Sequence, residues 1–150
     1  MGLIKSDRQL AITRRALGEL HQAVEKLRAR HKGLALHLFT SGPLGMIDQL
    51  EGEIREYRWL KKATPAQVMK QYALVRMEDI GPFLARLRIA SGLSQEELAR
   101  RMGSKQPDIA RLEDTEYQGY TASTLKAVAK VLGVEFVIGA RKVGRPQRVG

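Results

Sequence analysis

Apolar positions organise the first half of the chain into helical stripes. Between residues 6 and 31, Leu10, Leu17, Leu20, Val24 and Leu27 recur at three- and four-residue steps, the spacing of one face of an amphipathic helix. Ser6 or Asp7 can cap its start. Gly33 and the apolar run Leu34-Ala35-Leu36-His37-Leu38-Phe39 are expected to end or interrupt it. Thr40-Ser41-Gly42-Pro43 reads as a loop opening a helix, because proline suits a first helical turn. The spacing of Ile47, Leu50, Ile54 and Tyr57 then predicts a second helix over 44–61, with Glu51 and Arg55 on an exposed face. Residues 1–62 thus read as a helical hairpin. A two-helix hairpin buries little surface by itself, so pairing with a second copy is favoured over simple packing on the rest of the chain.

The second half is punctuated by capping signals. Thr64-Pro65-Ala66-Gln67 has a cap, a first-position proline and a reciprocal glutamine, and predicts a connecting helix to about Val75 within a linker over 63–79. From Ile80 a helix carries Phe83, Leu84 and Leu87 to Ser91-Gly92. Ser94 and Glu97 have capping-box spacing, Leu98, Ala99 and Met102 point inward, and Gly103 suits the left-handed end of that helix. After the turn Ser104-Lys105, a third helix over 106–113 turns Ile109 and Leu112 inward. A fourth follows from about Ala122 to Leu132, capped by Thr121 and stopped by Gly133, and β-branched Val134-Glu135-Phe136-Val137-Ile138 predicts a short terminal strand. The fold class is therefore mostly α, with one strand at the end.

Charge adds a partner class. The formal net charge is +10, which favours an anionic partner, nucleic acid above all. The excess is not confined to the second half: residues 1–78 carry fourteen Lys/Arg against eight Asp/Glu, and residues 79–150 twelve against eight. The absence of Cys excludes disulfides and thiolate metal sites. His21, His31 and His37 lack neighbouring ligands in a metal-site pattern. No catalytic triad, phosphate loop or paired carboxylate is visible, so the expectation is a non-enzyme without cofactor. Nothing reads as a signal peptide or membrane span, which makes the cytoplasm the default compartment and a membrane partner unexpected.

A short turn holding two helices at a steep angle lets the second project into the major groove of double-stranded DNA. Gln106 and Arg111 have bidentate chemistry matched to adenine and guanine edges. Asp108 either accepts from a cytosine amino group or complements the helix dipole. The run Arg88-Ile89-Ala90-Ser91-Gly92-Leu93-Ser94-Gln95-Glu96-Glu97-Leu98-Ala99, with Gly103 and the stretch from Gln106-Pro107 to Glu113, resembles the Cro/cI (XRE) family of helix-turn-helix DNA-binding proteins. The resemblance covers about 60 residues and implies a lambda-repressor-like domain over 80–140. It implies a buried structural pair of Arg88 with Glu113 and a phosphate contact at Gln95. Lys105 stands where the family usually has Ser, which points to Ser104 as the cap. The acidic loop over 114–120 is slightly longer than the common form and resembles a subgroup ending in a strand, where HigA-like antitoxins are common.

The basic tail over 141–150 contains Gly144-Arg145-Pro146 and resembles the core of an AT-hook, with Val143 where Arg is usual. The candidate DNA-binding residues are Ser94, Gln95, Ser104, Lys105, Gln106, Pro107, Asp108, Arg111 and Arg145. The expected function is a sequence-specific repressor acting as a homodimer on a palindromic operator. The alternatives are an antitoxin that neutralises a toxin protein and represses its own operon, and a nucleic-acid scaffold or adaptor working through the N-terminal hairpin.

Overall fold

A computed structural model describes residues 2–142 and 144. Helix α1 spans Asp7–Arg30 and is capped by Ser6, whose hydroxyl accepts from the Gln9 amide at 3.2 Å. Helix α2 spans Gly33–Leu60 and lies against α1. The hairpin is as expected, but its second arm is not. The expected loop at Thr40-Ser41-Gly42-Pro43 is helical, and the arm begins at Gly33 rather than near Leu44. Pro43 sits in the helix interior, where it removes one backbone donor. The turn before it is held by other bonds: the Thr40 hydroxyl donates to the Leu36 carbonyl at 2.7 Å and Ser41 to that of Leu38 at 3.3 Å.

Helix α3 spans Pro65–Gln71 and has the expected reciprocal cap, with the Thr64 amide donating to Gln67 Oε1 at 2.8 Å. It stops four residues short of Val75. Tyr72 leaves the helix, and its ring packs edge-on to Phe83 and under Arg86. The Tyr72 hydroxyl and Arg86 Nε both donate to Glu56 Oε1, at 2.9 and 2.6 Å, so one carboxylate on α2 ties down α3 and the next helix.

After a 3-10 turn at Met77–Asp79 come α4 (Ile80–Ala90), α5 (Gln95–Met102), α6 (Gln106–Leu112) and α7 (Ala122–Leu132). Gly81 in α4 is a close-approach position. A Cβ there would meet the Asp114 carbonyl and the Tyr120 hydroxyl at 2.7 Å, so only glycine lets α4 seat against the end of α6. Thr121 caps α7, and Gly133 ends it with φ 66°.

The expected terminal strand is absent among the described residues. The Val134 amide instead closes the end of α7 on the Ala129 carbonyl at 3.0 Å. Val134 and Phe136 pack on the core, while Val137 and Ile138 lie exposed. A strand needs a neighbour for its ladder, and the described part of the chain offers none.

The core is continuous. Ile54, Tyr57 and Leu60 of α2 join Val68, Leu84, Leu87, Leu98, Ile109 and Val128 in one buried cluster, and Ile4 of the N-terminal segment belongs to it. Tyr57 donates to Asp7 Oδ1 at 3.0 Å, and burial, reinforced by that carboxylate, pushes its hydroxyl up to about 12.

Candidate nucleic-acid interface

The turn between α5 and α6 follows from its sequence. Ser94 is the exposed N-cap of α5 and accepts from the Glu97 amide at 3.1 Å. Only half of the expected capping box forms. The Glu97 carboxylate turns instead to Arg101 and Arg100, at 2.9 and 3.2 Å, and the Arg101 hydrogen bond holds it below the usual carboxylate range. Gly103, at φ 68°, ends α5 in the left-handed conformation that favours glycine. Buried Ala99 keeps the paired helices close.

The cap of α6 is Lys105, not Ser104. The Lys105 amide donates to Asp108 Oδ2 at 3.1 Å, the reciprocal half of a capping box, while lysine has no acceptor for the half that a serine hydroxyl would supply. Ser104 is half-buried, and its hydroxyl points back to the Ala99 carbonyl at 3.5 Å. Asp108 also accepts from Arg111 Nη2 at 3.2 Å, which leaves it a capping and pairing residue in this conformation. Ile109 and Leu112 anchor α6 in the core, while Pro107 and Arg111 face solvent beside half-buried Gln106.

Behind this surface lies a buried pair. Arg88 Nε and Nη2 donate to the two oxygens of Glu113 at 2.5 and 3.0 Å, and both side chains are fully buried. Two further N–H groups of Arg88 donate to the carbonyls of Leu93, at 2.7 Å, and Lys5, at 3.1 Å. Gln95 is only half-exposed: its amide donates to Glu113 Oε2 at 2.7 Å, and its carbonyl oxygen accepts from Gln106 Nε2 at 2.8 Å. A hydrogen-bonded line therefore runs from the buried Arg88, through Glu113 and Gln95, to Gln106 on the surface. It fixes the Gln106 amide while leaving that side chain's carbonyl oxygen and second N–H available.

Residues 79–135 match a helix-turn-helix domain family. No curated protein and no solved structure matches the chain. The matched span begins one residue before α4 and ends just past α7, so the helix-turn-helix domain consists of α4 to α7 with α5 and α6 as its paired helices. It brings Ser94, Gln95, Ser104, Lys105, Gln106, Pro107, Asp108 and Arg111 together around one turn. Arg145 lies outside the described residues, as does most of the basic tail.

Lys5 was not foreseen in this neighbourhood. Its Nζ donates to the Glu113 carbonyl at 2.7 Å while its own carbonyl receives Arg88. Its separation of 108 residues from Glu113 is beyond any local pattern. No described helix is long and apolar enough to cross a membrane.

Proposed function

We propose that the chain is a sequence-specific DNA-binding regulator of transcription that reads bases with α6 and acts as a repressor by occupying its site. The helix-turn-helix domain carries this reading: a short anchored helix presents Gln106 and Arg111 from a rigid turn, and the net charge of +10 favours a polyanion. Gln106 would read adenine with its free carbonyl oxygen and second N–H. Arg111, once released from the solvent-exposed Asp108 pair, would read guanine. Weak surface pairs cost little to open.

Site selection from random duplex DNA should return a defined motif. Gln106→Ala or Arg111→Ala should cost about 1–3 kcal/mol on that site and relax preference at one base pair. Unchanged affinity and motif would remove that residue from the readout, and selection that returns no motif would overturn the reading as a whole.

A further inference from the structure

Among the described residues, little covers the apolar face on the N-terminal half of α2 beyond the His31 ring, 4.7 Å from that of Phe39. From Gly33 to Ile47 there is no charged residue. Thr40 and Ile47 are buried and mark the side that α1 covers. On the other side Leu34, Leu38, Phe39 and Met46 remain 73%, 64%, 54% and 55% exposed. Farther along the helix that same side is covered: Glu56, about five turns on from Leu38, is held by Arg86 of α4 and by Tyr72. Among the described residues, the helix-turn-helix domain meets α2 along its C-terminal half, and the face continues largely bare beyond it.

We infer that this face of α2 is the contact between two copies of the chain, packed about a two-fold axis near Gly42. Area supports a second copy. The four large side chains leave on the order of 500 Å² uncovered per copy, towards the upper end of the largest apolar patch a monomer exposes, a size that is often an interaction site. Two such faces with Ala35, Gly42 and Gly45 between them reach about 1,200 Å² in total, the lower edge of stable interfaces. The face is also self-complementary. Ala35, Leu38, Gly42, Gly45 and Gln49 alternate in three- and four-residue steps, the seam of paired helices. An antiparallel crossing at Gly42 sets Leu38 against Met46 and brings no charge from residues 33–47 against its own copy. Glycine is a poor residue for a helix interior, and a Cβ at Gly42 or Gly45 would meet nothing within this chain. A second backbone passing there gives both positions a reason to be small.

The inference stands without DNA, and so does its test. Light scattering and sedimentation of the full chain, DNA-free, should give twice the 16.8 kDa chain mass. Leu38→Glu and Met46→Glu should each weaken association at least about tenfold, since a buried unpaired charge opposes it. Gly42→Gln separates packing from folding: alone it should shift the chain towards monomer, and added to Leu38→Glu, where association is already weakened, it should keep or raise the thermal midpoint because glutamine is the better helix former. A wild-type monomer at micromolar concentration would overturn the inference. So would a dimer that persists in all three single variants, which would place the contact elsewhere. DNA-site selection on the same samples reports independently on base reading.

Discussion

Arg88 has four hydrogen bonds to protein acceptors, two of them to Glu113, and no contact with solvent to replace any of them. Removing one partner of such a pair strands the other charge, which is why a broken buried pair costs far more than the intact pair contributes. Arg88→Ala should therefore lower stability by about 3–5 kcal/mol, read from urea denaturation. Arg88→Met combined with Glu113→Leu should cost less than the two single changes added together. If Arg88→Ala leaves the urea midpoint in place and only weakens DNA binding, the guanidinium is a phosphate contact and the structural role fails. Gln95 is the residue whose surroundings were least visible beforehand. The sequence shows a polar side chain at a helix start; only the fold shows its amide turned in to Glu113 and its oxygen engaged by Gln106.

Helix α2 shows where local pattern misleads. Thr40-Ser41-Gly42-Pro43 carries every local mark of a loop, and between Gly33 and Ile47 apolar residues appear on all sides, so no single stripe announces a helix. The segment is helical because Thr40 and Ile47 bury against α1, a long-range gain that outweighs propensity. Replacing Pro43 by Ala restores a backbone donor to the helix interior and should raise stability by about 1–3 kcal/mol, measurable as a higher urea midpoint. A lower midpoint would mean that α1 packs on a shape that needs the proline. By contrast α3 to α7 were legible almost to the residue at their starts, because Thr64, Ser94 and Thr121 cap through their own side chains and Gly103 and Gly133 end helices by local geometry. The exceptions have physical causes too. Lys105 caps through Asp108, and the strand expected at 134–138 had β-branched residues but no partner.

At the scale of the molecule, the hairpin and the helix-turn-helix domain share one core, with Ile4, Tyr57 and Leu60 in the same cluster as Leu84 and Val128. Unfolding followed by far-UV circular dichroism and by the fluorescence of the single Trp59 should give coincident transitions. Ile4→Ala should shift both together by about 2–4 kcal/mol. Separate transitions would mean that the two parts fold independently. The same N-terminal segment also imposes an order of events during synthesis. Lys5 leaves the ribosome long before Glu113, to which it is bonded across 108 residues. At about 5–20 residues per second that is a wait of roughly 5–20 s. Throughout it Ile4 has no finished core to enter, and Arg88, itself made only 25 residues before Glu113, comes with its carboxylate still missing. This early segment is thus among the last to dock, and the nascent hairpin passes that interval with its apolar faces open to whatever holds new chains apart.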